Sequence, residues 1–159
     1  MPYNKPNFKL MMQLIDETFA TRKDPGQIQV SEAQMKKLQA IHPATLSEFA
    51  DKDGPLIWIL LIPTTKEIMN DFLSGKITET QLLEHTKPKE RYDCIYLCSA
   101  TTLPEMRNKG ETKKLCIHAI EQIMKDHSIN TLFVWPFTKE GEILAEAIVK
   151  KCELELLKK

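Results

Sequence analysis

The sequence predicts an α/β fold in which helices cover both faces of a mixed β-sheet. Residues 92–152 alternate between strand and helix patterns, so that at least one parallel strand pair must be joined by a right-handed crossover. An apolar hairpin pattern precedes this segment, and residues 1–45 carry the spacing of amphipathic helices. With 159 residues, the chain suits one domain with a sizeable core, and we expect residues 1–159 to form it.

Two apolar stripes predict the N-terminal helices. The first stripe recurs at helical spacing and comprises Phe8, Met11, Met12, Ile15 and Phe19. After a break at residues 23–26, Ser31 and Gln34 form a predicted capping box for a second helix. Its buried face consists of Met35, Leu38 and Ile41. We interpret both stripes as parts of the core.

The next segment predicts a β-hairpin followed by two short helices. Strands are expected at Leu46–Ala50 and Leu56–Ile62, with Pro63 ending the second strand. Capping boxes then predict where the two helices begin. They pair Thr64 with Glu67 and Thr78 with Gln81.

The C-terminal half contains five further predicted elements. They are a strand at Cys94–Ala100, a helix at Thr112–His127, a strand at Thr131–Trp135, a helix at Lys139–Lys151 and an edge strand at Glu153–Leu157. The middle helix should cover the sheet with one apolar face. That face consists of Cys116, Ala119, Ile120, Ile123 and Met124.

Charge and hydropathy exclude several classes of partner. Lysine plus arginine and aspartate plus glutamate number 22 each, so net charge favours neither nucleic acid nor a membrane surface. The longest apolar run, Leu56–Ile62, is too short to span a bilayer, and the N-terminus lacks a signal-peptide core. We therefore expect a cytoplasmic protein that contacts neither nucleic acid nor a membrane.

The cysteines and glycines carry no familiar metal or nucleotide motif. No Cys-x-x-Cys pair is present, and Cys94, Cys98, Cys116 and Cys152 are interpreted as small buried hydrophobes rather than metal ligands. The five glycines are too widely spaced for a Rossmann fingerprint or a Walker A loop. We expect no metal site.

A basic turn between the predicted strand at Cys94–Ala100 and the following helix is the strongest functional signal. It contains Gly110 and four cations, which are Arg107, Lys109, Lys113 and Lys114. Unpaired backbone N–H groups and the positive end of the dipole make a helix start suitable for an anion. The alternative is an ordinary solvated basic loop.

The residues from Leu103 to Leu115 resemble the cofactor-binding motif of the GNAT superfamily, the acyl-CoA-dependent N-acyltransferases. In that family an Arg/Gln-x-x-Gly-x-Gly/Ala turn joins a strand to a helix. Arg107 and Gly110 match its first two fixed positions, whereas Thr112 replaces Gly or Ala and Glu111 replaces an apolar residue. The resemblance, which is specific over residues 92–152, implies a GNAT-like domain whose two central strands splay apart.

The resemblance also implies the ligand and its contacts. Acetyl-CoA, or another acyl-CoA, would bind with its pyrophosphate on backbone amides, and a small-molecule or protein amine would accept the acyl group. The implied cofactor-binding residues are Thr102, Leu103, Arg107, Asn108, Lys109, Gly110, Glu111, Thr112 and Lys113.

The catalytic residues stay unassigned at this stage. The resemblance implies a tyrosine acid on the last helix, but Ile148 stands near that position. Glu105 and the four histidines, His42, His85, His118 and His127, are candidate bases that the sequence does not distinguish.

Three functions therefore remain open from the sequence. The first is an N-acetyltransferase, the second is an acyl-CoA-binding sensor or interaction module with little or no transfer activity, and the third is an interaction protein without a CoA site. The oligomeric state is open as well, with a homodimer among the alternatives.

Overall fold

The computed structural model describes residues 7, 9–11, 13–14, 32–136 and 138–159. Residues 7, 9–11 and 13–14 are helical, as predicted, and Met11 is fully buried. The other residues of the first predicted stripe, and the capping residue Ser31, lie outside the described residues. Within the ranges given above, no helix is both long and apolar enough to cross a bilayer.

Five helices and five strands follow along the chain from residue 32, with one 3₁₀ turn at Pro104–Met106. The helices are α1 (Glu32–Ile41), α2 (Lys66–Leu73), α3 (Glu79–His85), α4 (Glu111–Asp126) and α5 (Lys139–Cys152). The strands are β1 (Leu46–Asp51), β2 (Gly54–Thr64), β3 (Cys94–Thr102), β4 (Thr131–Val134) and β5 (Glu155–Lys158).

The strands form one mixed sheet in the order β1-β2-β3-β4-β5. The first three strands are antiparallel, because a hairpin joins β1 to β2 and β3 pairs antiparallel to β2. The last three strands are parallel, since α4 and α5 each cross from one strand to the next. The predicted mixed sheet with parallel strand pairs is therefore confirmed.

Helices cover both faces of the sheet. Phe72 of α2 contacts Tyr96 of β3, with ring centroids 5.0 Å apart, whereas Thr102 of the same strand contacts α4. Tyr96 pairs with Ile62 and Thr102 pairs with Ile57. Because Ile62 and Ile57 are five positions apart in β2, their side chains point to opposite faces of the sheet. Therefore α2, which contacts Tyr96, and α4, which contacts Thr102, lie on opposite faces. The predicted fold class is confirmed.

The central strands are buried on both faces. Ile57, Ile59 and Leu61 of β2 are completely inaccessible, as is Leu132 of β4. Each such aliphatic side chain contributes about 1.5–3 kcal/mol relative to an exposed one. The predicted core face of α4 is confirmed at Cys116, Ala119, Ile120 and Ile123, which are buried, and its fifth member, Met124, is partly buried against the core.

Two predictions about the end of β2 are wrong. Pro63 does not end the strand but pairs with Ile95. The N–H of Leu61 points toward β1 and donates to Thr45 O at 2.8 Å. The backbone nitrogen of Pro63, two residues later, points to the same side, but the pairing with β1 stops at Leu60 and does not reach Pro63. Its missing N–H therefore costs no ladder bond.

The second error is the capping residue of α2. Thr64 is buried and is the last residue of β2, where its hydroxyl lies 2.7 Å from that of Thr86. Thr65 caps α2 instead, by accepting a hydrogen bond from the N–H of Ile68. The predicted capping box at Thr78 and Gln81 is confirmed.

The β3 strand outruns β4. Parallel pairing between the two strands stops at Leu97 and Val134, whereas β3 continues to Thr102 along β2. A bulge separates the two parts, because Leu97 pairs with Leu61 and Ser99 with Leu60, leaving Cys98 as the extra residue. From Ser99 onward, the side of β3 that faces away from β2 has no partner strand among the described residues.

Candidate functional site

The turn between β3 and α4 is anchored by Leu103. Its side chain is completely buried, and its N–H donates to Leu56 O at 2.9 Å. Its carbonyl accepts from the N–H of Met106 at 2.9 Å, which closes the 3₁₀ turn at Pro104–Met106. Leu103 is thus engaged within the protein by its side chain and by both backbone groups, and it fixes where the turn begins.

Gly110 is the residue at which the turn becomes a helix. It is the N-cap of α4 with φ 75° and ψ 0°, a left-handed conformation that suits glycine. A Cβ built at Gly110 would meet no atom within 4 Å, so backbone strain alone opposes a side chain at this position. Asn108, with φ 64°, also has a left-handed backbone conformation.

The first turn of α4 begins without a side-chain cap. By contrast, threonine hydroxyls accept an N–H bond at the starts of α2, α3 and α5. Among the described residues, the N–H groups of Glu111, Thr112 and Lys113 have no acceptor. Three donors and the positive end of the helix dipole therefore face one space beside Gly110.

The cations of the turn are exposed, and two of them already have partners. The Arg107 Nε donates to Thr102 O at 3.2 Å, which ties the turn back to the end of β3. Lys114 Nζ lies 3.5 Å from a carboxylate oxygen of Glu111, three residues earlier on the helix. Lys109 and Lys113 are exposed beside them, so positive charge exceeds negative charge around the N-terminus of α4.

Thr112 points toward the sheet and not along the helix axis. Its hydroxyl oxygen lies 2.7 Å from that of Thr102, the last residue of β3. The β-branched side chain at this position is therefore directed away from the three free N–H groups. Nine residues are implied as cofactor contacts. Among them, Thr102 is hydrogen-bonded to both Thr112 and Arg107. Three others are exposed, namely Asn108, Lys109 and Lys113.

An unpaired strand edge leads directly into this turn. Among the described residues, residues 99–102 of β3 have β2 on one side only, and four residues of strand span roughly 13 Å. On the other side of residues 99–101 no described strand bonds the backbone, whereas Thr102 O accepts from Arg107 Nε. That side of residues 99–101 is therefore open to an extended ligand. At the end of that edge lie the free N–H groups of α4, so one extended molecule can reach both.

A buried acidic residue, Glu79, lies near the point where β4 ends and its pairing with β3 stops. Tyr96 donates its hydroxyl to Glu79 Oε2 at 2.6 Å, and Glu79 is only 1% exposed. The Tyr96 ring stacks on that of Phe133, with centroids 5.0 Å apart. The sequence did not single out Glu79, because an acidic residue at a helix start is ordinarily solvent-exposed.

The other candidate groups lie away from the turn or face the core. Ile148, at the position implied for a tyrosine acid, is completely buried within α5. His42, His118 and His127 lie at or near the C-terminal half of α4, and a 16-residue helix is roughly 24 Å long. Of the bases considered from the sequence, only Glu105 lies in the turn itself, where it is exposed.

Comparisons of the chain with protein-family models, with curated proteins and with solved structures return no match.

Proposed function

We propose that the protein binds acetyl-CoA, or another acyl-CoA, at the turn between β3 and α4 and transfers the acyl group to an amine. One observation carries this proposal, namely that the edge of residues 99–102, which has no described partner strand on one side, ends at the uncapped N-terminus of α4. Such an arrangement suits a ligand with an amide-containing arm joined to a pyrophosphate. The resemblance of residues 103–115 to the GNAT motif supports the same ligand.

Each part of the site would hold a different part of the ligand. The N–H groups of Glu111, Thr112 and Lys113 would donate to the pyrophosphate, with Lys109 and Lys113 adding positive charge. The backbone groups of residues 99–101 on the side away from β2 would bond the amides of the pantetheine arm, as a neighbouring strand does. The bound thioester supplies the activated acyl group.

A second candidate function is an acyl-CoA-binding module with little transfer activity. The residue that favours it is Ile148, which is buried in the core at the position where the resemblance implies a tyrosine acid. Without a placed acid, the leaving thiolate would take its proton from water, and a placed acid is typically worth ~100- to 10,000-fold in rate. The two candidates share the ligand and differ in the rate of transfer.

Calorimetric titration with acetyl-CoA tests the binding site. Gly110→Val should abolish binding, because a β-branched residue disfavours the left-handed conformation that aims the N–H groups of α4. Gly75→Val is the matched control. Gly75 has φ 83°, and a Cβ there would also meet nothing within 4 Å, but it lies in the connection between α2 and α3.

The two variants should therefore lose similar stability, and only Gly110→Val should lose the ligand. Wild-type protein that gives no heat with acetyl-CoA would leave the basic turn as a solvated loop, and the proposal would be wrong. If folded Gly110→Val binds as tightly as wild type, the pyrophosphate site lies elsewhere.

Release of free thiol from acetyl-CoA in the presence of an amine library separates transfer from binding alone. A rate above the background hydrolysis with any amine would identify an N-acetyltransferase. Binding without thiol release across the library would identify the binding module. We propose a small-molecule or protein amine as acceptor and the cytoplasm as location, consistent with the unpaired cysteine thiols of the described residues.

A further inference from the structure

A cluster of titratable groups lies at the end of α4 opposite the turn. It consists of His42, Asp126 and His127, which we call the histidine cluster. His42 Nδ1 accepts the N–H of Ala44 at 3.0 Å, and its Nε2 lies 2.7 Å from Asp126 Oδ2. Because an N–H donor points at Nδ1, that nitrogen carries a lone pair and Nε2 carries the hydrogen, which it donates to Asp126.

His127 also accepts a hydrogen bond from a backbone N–H. Its Nδ1 accepts the N–H of Tyr92 at 3.4 Å, and its ring lies against that of Tyr92, with centroids 4.7 Å apart. The rings of His42 and His127 are 6.0 Å apart. An imidazolium has two donors and no acceptor, so protonation of either ring breaks the hydrogen bond from the backbone. Two imidazolium rings at this distance would also repel each other.

Of the charged groups around the two rings, some favour protonation and others oppose it. Asp126, 63% exposed, favours an imidazolium, whereas Lys125 and a protonated His118, which line the same cavity, oppose it. Burial is the largest cause that lowers the pKa of His127, followed by the charge of His42, and Asp126 offsets part of this. A cavity of about 430 Å³ lets solvent protons reach the 7% exposed His42.

We propose that the histidine cluster is a pH-dependent conformational switch. Acidification breaks the bonds from Ala44 and Tyr92 and releases two segments from the end of α4. One segment is the connection between α1 and β1, residues 42–45, and the other is residues 86–93, which lead into β3. The switch is independent of acyl-CoA binding, because it involves the opposite end of α4 from the turn.

The direction of the effect follows from proton binding. The unfolded or opened chain binds a proton at His127 with the ordinary pKa of 6.5, and the closed form binds it only at lower pH. Above about pH 6.5 neither form is protonated and the closed form keeps its full stability. As the pH falls from about 6.5 toward the pKa of His127 in the closed form, the open form becomes more populated relative to the closed form. The gain is about tenfold for each unit by which the pKa of His127 differs between the open and the closed form.

Nuclear magnetic resonance of the wild-type protein tests the switch directly. We expect the rings of His42 and His127 to carry their hydrogen on Nε2 in the closed form, and the pKa of His127 to lie below its ordinary value. Hydrogen exchange, expressed as protection relative to the unstructured chain, should drop at the amides of Ala44 and Tyr92 by about pH 5.5 and stay constant in the β2–β3 ladder. Unchanged protection at both amides, or a pKa of His127 that is not lowered, would overturn the proposal.

Asparagine variants separate the proton from the shape of the ring. In His42→Asn and His127→Asn the side-chain oxygen can still accept the backbone N–H, and it does not titrate. The double variant should therefore lose the pH dependence of protection at Ala44 and Tyr92, whereas His118→Asn should keep it. A pH response that persists in the folded double variant would place the switch elsewhere. If the double variant does not fold, the wild-type titration alone decides.

Discussion

The hydroxyl groups of Thr102 and Thr112 lie 2.7 Å apart and join the last residue of β3 to the first turn of α4. The two threonines are ten positions apart in the chain, and the segment from Leu103 to Glu111 lies between them. Their bond therefore closes the turn into a ring. This gives Thr112 a structural role at a position where the motif it resembles has glycine or alanine.

Replacing Thr112 by valine should weaken the fold by about 1 kcal/mol, since the variant keeps the shape but loses one part-buried hydrogen bond. Urea denaturation monitored by circular dichroism measures the change. Thr112→Ser is the control, because it keeps the hydroxyl, and it should retain more stability than the valine variant. Equal stability of the valine variant and wild type would show that the bond contributes nothing in solution.

Neutralising Glu111 should tighten acetyl-CoA binding. A unit negative charge at ~6 Å from a bound anion costs roughly 0.7 kcal/mol in water, which corresponds to about threefold in affinity. Part of the gain of Glu111→Gln should disappear in high salt, because the charge is partly exposed and screened. Calorimetric titration at low and high salt measures both effects.

The matched control for this variant is Glu121→Gln. Glu121 is exposed on the same helix but roughly 15 Å further along, which exceeds the Debye length of ~10 Å at 0.1 M salt. Its affinity should equal that of wild type. If Glu111→Gln binds no more tightly than Glu121→Gln, Lys114 already neutralises the carboxylate, which it approaches to 3.5 Å.

Removing the Tyr96 hydroxyl should destabilise the protein by about 1–3 kcal/mol, because the buried carboxylate of Glu79 loses a donor. Thermal unfolding of Tyr96→Phe measures this loss. Tyr92→Phe, which removes a hydroxyl that donates to Lys87 O outside the sheet, provides a comparison. Neither variant should slow acyl transfer, and a large loss of turnover with binding intact would identify that tyrosine as the missing acid.

Cys94 and Cys116 should resist alkylation in the folded protein. Burial raises the pKa of each thiol to about 12, and the adjacent Asp93 adds to the effect at Cys94. At neutral pH almost no thiolate exists at either residue, and the thiolate is the reactive form. Iodoacetamide labelling followed by mass spectrometry should modify both only after unfolding. Rapid labelling of Cys116 in folded protein would contradict its burial on the core face of α4.

The fold was predictable because its elements carry strong local patterns. The periodicity of α4, the apolar run of β2 and the capping box at Thr78 each depend on residues close in sequence. The errors at Pro63 and Thr64 arose because the end of β2 is set by how far it pairs with β3, while β1 does not reach Pro63 on the other side. That length is a tertiary property, which no local pattern contains.

The candidate site was predictable only in part. The glycine turn and its cations stand in the sequence, and the positive φ of Gly110 follows from the residue type. The bulge at Cys98 has no sequence signal, because it depends on the register between β2 and β3. The His42–Asp126 contact joins residues 84 positions apart, and burial of Glu79 under Tyr96 is likewise set by packing across the sheet.

The change from antiparallel to parallel pairing at β3 has a consequence for how the chain folds. The β1–β2 hairpin closes a short loop, whereas the β3–β4 and β4–β5 pairs form only after an entire helix has crossed the sheet. Contacts between residues close in sequence form early, so we expect the antiparallel half to be structured in the folding transition state. Destabilising substitutions in β1 should then slow folding, and those in β5 should mainly accelerate unfolding. Stopped-flow chevron plots of variants in the two edge strands distinguish these cases, and a slower folding rate from the β5 variants would reverse the order.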